Sequence, residues 1–451
     1  MNSKNHAKGK LIGLQSSFGF SLFGLISALI FIGCSPRHEP LKQVHATSPI
    51  AILLSPHSGD SKSDLEVRRL QDQIRAGRNP DTSIERLGWA FVSKARESFD
   101  PGFYKLAEQC ALALDQRQPH CAEALLLRGH VLHNLHKFKE AEVAARELIS
   151  KRSLPFDFGL LSDALMEQGK LEEAIDACQK MIDLRPDLHS YARGAHLRWL
   201  KGDLKGAEKL MRLAGDAASP RDADSAAWVF TRLAGYQFQI GPGAEATQSC
   251  DAALEFRPDY PPALLLKGRL LLAEDENEKA CELLRRAARL NPLPEYQWTL
   301  IEALSTARHD DDARMVESEL SIRGAITDPR SYALYLATRG QSTELALRLA
   351  REELESREDV FTHDALSWAL ASAGKLGEAR QESALALAQG TQDARLLFHA
   401  AVLAHKLGFN QESERFAAHA RLFKQTLLPS ERTQLEALHR NFVSLISHSV
   451  P

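Results

Sequence analysis

Along most of this chain apolar residues return at three- and four-residue spacing, in short runs broken by Gly, Pro or Asp, the pattern of short amphipathic helices. The stretch 261–292, PPALLLKGRLLLAEDENEKACELLRRAARLNP, shows it most clearly. A first helix is expected after the prolines, with Leu264, Leu265, Gly268, Leu271 and Leu272 at helical spacing. A second is expected after Asp275, with Glu278 three places on as a capping pair, carrying Ala280, Leu283, Leu284, Ala287 and Leu290. Pro292 ends it, because proline has no N–H to continue the ladder. Gly268, Ala280 and Ala287 are small enough to let the two axes approach closely.

One such hairpin cannot bury its own apolar face and needs copies on either side. With Ala280 as the marker, the equivalent place falls at Ala107, Ala141, Ala174, Ala207, Ala246, Ala313, Ala346, Ala379 and Ser413. The steps along the series are 34, 33, 33, 39, 34, 33, 33, 33 and 34 residues. Other places keep phase. Gly268 is matched by Gly129 and by the small residues Ala95, Ser162, Ala195, Ala234 and Ala401. The terminal proline recurs at Pro119, Pro186 and Pro258, and a turn glycine at Gly169, Gly202, Gly241, Gly374 and Gly408.

In these places the chain resembles the tetratricopeptide repeat family over about 84–426. The resemblance implies an all-α fold, a right-handed superhelical solenoid of about ten helix-turn-helix repeats. Two departures stand out: the fourth place is often a plain Leu or Phe, and the units around Trp298 and Tyr335 are degenerate. The long step is read as an insertion, 215–224, that loops out between units.

The chain opens with Lys4, Lys8 and Lys10, then a mostly apolar run over 11–32 and the pair Gly33-Cys34. A basic stretch, an apolar stretch and a small residue before a cleavage point make a secretory signal. Phe31-Ile32-Gly33-Cys34 resembles the lipobox of bacterial lipoproteins, which implies that Cys34 is acylated and becomes the new N-terminus. Ser35 after the cysteine implies the outer membrane of the cell envelope, periplasmic side. The alternative is an uncleaved inner-membrane signal anchor, since the run is just long enough to span a bilayer. Domain boundaries follow: 1–33 signal peptide, 34–63 flexible tether, 64–82 capping helix, 83–426 solenoid, 427–451 capping helix. The apolar patch 50–54 within the tether is expected to make only transient contact.

A formal charge of −3 over 451 residues gives no general argument for nucleic acid as a partner. No phosphate-cradling glycine loop, HExxH, nucleophile elbow or cysteine-pair framework occurs, so no enzyme and no cofactor are expected. Besides Cys34 there are five cysteines; Cys178 and Cys250 stand at a small packing place, and Cys110 and Cys121 flank one junction where they could pair. His130, His133 and His136 follow at three-residue spacing, which one helix face does not converge into a metal site, so no metal is expected.

In the family, the second, fifth, ninth and twelfth places line the concave surface. Carried over by register, Trp89 and Trp228 fall at second places, Trp298 at a fifth, Trp368 at a ninth and Trp199 at a twelfth. Tyr335, Phe238, His130, His133, His196, Asp163 and Arg269 join them. The resemblance therefore implies an exposed aromatic groove that binds an extended segment or a helix of a protein partner, on a membrane-tethered, non-enzymatic scaffold. A polysaccharide-binding scaffold of an export or synthesis machine, and an accessory subunit of an enzyme encoded elsewhere, are the alternatives.

Overall fold

A computed structural model of the protein describes residues 48–241 and 243–447, with side chains as far as 440. The expected signal, Cys34 and the first part of the tether lie outside these residues. Two helices come first, α1 (Pro49–Leu53) and α2 (Lys62–Arg75). Hairpins follow: α3 (Pro80–Ser98) with α4 (Gly102–Arg117), α5 (Ala122–Asn134) with α6 (Phe138–Lys151), and α7 (Pro155–Glu167) with α8 (Leu171–Leu184). Next are α9 (Leu188–Leu200) with α10 (Leu204–Asp216), α11 (Ala223–Ile240) with α12 (Ala244–Phe256), and α13 (Pro261–Ala273) with α14 (Asn277–Leu290). The last are α15 (Pro294–Thr306) with α16 (Asp310–Thr327), α17 (Pro329–Arg339) with α18 (Thr343–Ser356), α19 (Val360–Ser372) with α20 (Leu376–Leu387), and α21 (Ala394–Lys406) with α22 (Asn410–Arg421). The helix α23 (Pro429–Ser447) ends the described residues, among which there is no strand. The protein is an all-α solenoid of hairpins. Among the described residues no helix is long and apolar enough to cross a membrane.

Local chemistry explains where each hairpin starts and turns. First helices begin on proline at N1, as at Pro80, Pro155, Pro261, Pro294 and Pro329, where the missing N–H is an orphan in any case. Others begin on an aspartate cap: Asp187 accepts from Ser190 N, Asp359 from Thr362 N and Asp393 from Leu396 N. In most hairpins the turn into the second helix takes a left-handed residue. Glycine fills it at Gly169, Gly202, Gly340, Gly374 and Gly408, and His136, Asp275 and Arg308 fill it elsewhere. Asp275 is therefore the turn residue and not a cap: α14 starts at Asn277, and the expected Asp275–Glu278 capping pair is not formed. Gly241, by contrast, is extended.

Every marker from Ala107 to Ser413 is buried. A Cβ on Gly268 would meet Leu284 Cγ at 2.6 Å, so the close approach of α13 and α14 is real. In three hairpins a small hydroxyl also ties the two helices. Ser162 Oγ donates to Ala174 O (2.8 Å), Ser367 Oγ to Ala379 O (2.9 Å) and Ser413 Oγ to Ala401 O (2.7 Å). The units around Trp298 and Tyr335 are full hairpins despite their degenerate sequence.

Two stretches differ from expectation. The 215–224 insertion does not loop out: its ends belong to α10 and α11, and only 217–222 connects them, with a 3-10 turn at Pro220–Asp222. The patch in the expected tether is the helix α1, with Leu53 fully buried against α4 and its neighbours. Gln71 Nε2 donates to Leu53 O and Ser55 O, both at 2.9 Å, which fixes the helix in place. The five cysteines from Cys110 to Cys281 are all free.

Successive turns of the solenoid also touch each other. Arg257 donates to Glu97 O across 160 residues, Arg357 to Glu167 across 190, Thr391 Oγ1 to Leu200 O across 191 and Gln425 to Phe238 O across 187. These separations amount to five or six units per superhelical turn. The winding is so tight at Gly169 and Gly202 that a Cβ would fall against the carbonyl of Glu358 or Gly390. α23 does not merely cover an end face. Ser430 Oγ donates to Glu302 Oε1 (2.7 Å) and Arg432 to Leu272 O (3.0 Å), which binds α23 to α15 and α13.

Candidate functional site

The tight winding leaves a cavity of about 490 Å³ in place of an open groove. Its wall comes from the first helices of successive hairpins, α9 to α21, with Thr426 beyond them. Of the residues placed on the groove by register, Trp199, Trp228, Phe238, Arg269 and Trp298 are in this wall. Closure changes what they can do. Trp298 is 2% exposed and Phe238 equally buried, whereas Trp228 keeps 41% of its surface and so stands where the cavity meets solvent.

The other seven are elsewhere. Tyr335 is buried edge-on against Trp298, ring centroids 5.8 Å apart, with its hydroxyl donating to Glu317 (2.5 Å). Trp368, 7% exposed, stacks on His399 at 4.0 Å and donates to Thr338 Oγ1. These two and Trp298 are core residues, so the expected row of exposed tryptophans does not exist. His196 stacks on Trp199 at 5.4 Å and adjoins the cavity. Trp89 and His130 face each other at 5.4 Å, and His130 Nε2 accepts from Arg96. His133 packs on Phe138, and Asp163 is ion-paired with Arg193 at 2.7 Å. Among the described residues no group of three or more His, Cys, Asp or Glu is placed to hold a metal.

Trp199 is locked in the wall. Its indole N–H donates to Gln239 Oε1 (2.8 Å), Gln239 donates on to Gln392 O, and Phe361 stacks on the ring at 5.5 Å. Arg395 lies over the Trp298 ring at 4.7 Å, a cation–π contact, and holds Glu431 at 2.7 Å. Burial by itself would raise the Glu431 carboxyl, but Arg395 overrides it and holds the group below its ordinary value. Burial pushes the Asp393 carboxyl up. Arg269 meets Glu295 and the Thr426 carbonyl, and Arg330 meets Asp359 at 3.0 Å.

Arg232 is different. Its guanidinium lies over Trp199 and Tyr236 and donates to His196 Nδ1 (3.1 Å) and the Tyr236 hydroxyl (3.4 Å), with no carboxylate partner among the described residues. Since arginine can only donate, His196 Nδ1 is the acceptor. Burial, then the Arg232 charge, pushes the His196 imidazole down to about 3, so it stays neutral.

Several wall residues went unremarked in the sequence although they share register with the tryptophans. Glu295, Phe361 and Arg395 occupy the second place and Asp364 the fifth. Arg232 sits one residue past a fifth place, and only the helical spacing from Trp228 through Thr231, Arg232 and Gly235 points to it.

A family model described as a tetratricopeptide repeat matches residues 158–188, which fall on α7 and α8. No curated protein matches the chain. Among solved structures, an IFIT1 monomeric mutant with Gppp-AAAA is similar at a TM-score of 0.47 and 14% identity, over 72% of this chain and 76% of that one. Human IFIT1 as a dimer with PPP-AAAA is similar at a TM-score of 0.46 and 14% identity, over 72% and 78%. The unit that the family model matches is in register with the other hairpins.

Proposed function

We propose that this chain is a non-enzymatic scaffold that binds a short segment of a protein partner in its inner cavity. The observation that carries the reading is the cavity itself, walled by the first helices from α9 to α21, lined by tryptophan and arginine, and open to solvent at Trp228. Its volume is that of a small-ligand site, roughly 300–1,000 Å³. Attachment to the bacterial envelope through acylated Cys34 belongs to the same proposal and rests on the Gly33-Cys34 junction. Fatty-acid labelling that survives Cys34→Ala would remove it.

A photo-crosslinking amino acid placed at Trp228 tests the binding role in cells. Crosslinks to one partner at position 228, absent when the same group is placed at the exposed, outward Met315, support the scaffold. Equal crosslinking at both positions, or none at either, overturns it.

A further inference from the structure

We propose that the cavity recognises one carboxylate joined to a flat apolar group, the carboxylate on Arg232 and the flat group against Trp228. This rests on the scaffold reading and names what the bound segment must present.

Charge bookkeeping inside the wall leads to it. Arg269, Arg330 and Arg395 each have a carboxylate partner in Glu295, Asp359 and Glu431. Asp364 is held by His399 at 2.9 Å, and Asp393 caps α21. Among the described residues Arg232 is left with neutral partners only, His196 and Tyr236. A guanidinium in a confined, aromatic-walled space lacks the fork-to-fork partner it is shaped for. A single anionic group completes the balance. A polyanion would instead confront Glu295, Asp364 and Asp393, which belong to the same wall.

One further observation points to a ligand. Trp228 offers an exposed ring that stacks on no other ring among the described residues. It lies one helical turn before Arg232 on α11, so the ring and the guanidinium share a face. A flat group on the ring thus comes with its charge one turn away. An acidic residue beside an aromatic one in a peptide has this chemistry, and so does a free aromatic acid.

Calorimetry on the purified full chain separates the sources with four probes: N-acetylphenylalanine, its amide, and the capped dipeptides acetyl-Asp-Phe-amide and acetyl-Asn-Phe-amide. At least one acid is expected to bind tenfold or more tighter than its neutral counterpart. That preference should vanish in Arg232→Met, and Trp228→Ala should weaken acid and amide alike. Preference confined to the dipeptide pair assigns the site to a peptide, and preference confined to the free acid assigns it to a small molecule. Equal binding of acid and amide, no binding of any probe at millimolar concentration, or a preference that persists in Arg232→Met overturns the inference. Should Arg232→Met not fold, the acid-to-amide ratio in the unaltered protein decides alone. Crosslinking at position 228 without acid preference sinks this inference and leaves the scaffold; loss of both sinks both.

Discussion

The Thr391 hydroxyl donates to the Leu200 carbonyl at 2.6 Å, joining residues 191 apart in sequence. Lys201 reaches Gln389 at 3.1 Å beside it, and Gly202 lies under the Gly390 carbonyl. This seam closes one superhelical turn upon the next.

Substituting the seam glycine should therefore weaken the protein more than its conformation alone requires. Gly202 and Gly374 have nearly the same left-handed φ, 79° and 76°, but only Gly202 faces another carbonyl. Gly374→Ala should lower stability by the left-handed penalty alone, roughly 1–2 kcal/mol. Gly202→Ala adds an overlap of the overpacking kind, a further 1–3 kcal/mol or about that. Denaturant melts of the two variants compare directly, and equal losses would show that the seam carries no strain.

The tryptophans should divide into two classes. Trp298 and Trp368 are buried, so truncation of either to alanine is expected to cost about 3–5 kcal/mol. Trp228 is 41% exposed, and Trp228→Ala should keep near-parental melting while weakening capture of the partner. Thermal melts check the first class and crosslinking yield the second. A cheap Trp298→Ala would contradict the closed winding.

Much of this was legible in the sequence, for a physical reason. A unit that packs only on its neighbours must repeat its small contact residues, so the series from Ala107 to Ser413 marks the hairpins directly. Register told only part of what faces inward: Trp199, Trp228, Phe238, Arg269 and Trp298 share one wall, whereas Trp89, His130, His133, Asp163, His196, Tyr335 and Trp368 are not in it. The pitch was not legible. It sums small rotations over many units, and contacts such as Thr391 to Leu200 join loops with no shared local pattern. An open groove and a closed cavity therefore read alike in one unit, and the burial of Trp298 and Trp368 depends on which of the two forms.

Acid should unfold the protein in part through His196. A free imidazole takes up its proton near pH 6.5, whereas the folded side chain does so only near 3, because of burial first and the Arg232 charge second. Asp163 and Asp359 oppose this shift without cancelling it. The stability carried by neutral His196 is thus fully present above about pH 6.5 and is lost as pH falls toward 3. Its slope approaches about 1.4 kcal/mol per pH unit. His130 is displaced downward for the same reasons, burial and the neighbouring Arg96, and steepens the loss. His196→Asn keeps an acceptor for Arg232 and removes the titration, so its stability should fall less steeply between pH 6.5 and 4.5. Parallel pH profiles for the two proteins would exclude His196 from the acid transition.

Overpacking one hairpin should reveal how the damage spreads. In Gly268→Leu the new side chain collides with Leu284, an expected loss of roughly 1–3 kcal/mol. A solenoid with contacts only between neighbours would confine the loosening to α12 through α16. This one is wound back on itself: Arg269 donates to the Thr426 carbonyl and Arg432 to the Leu272 carbonyl, both within about one helical turn after Gly268. Hydrogen exchange in Gly268→Leu should therefore quicken around α13 and again at 424–432, while α5 to α8 keep their protection. Quickening confined to α12 through α16 would show that the contacts between turns transmit nothing. Even quickening from Ala107 to Ser413 would mean that the units do not act as separate neighbours at all.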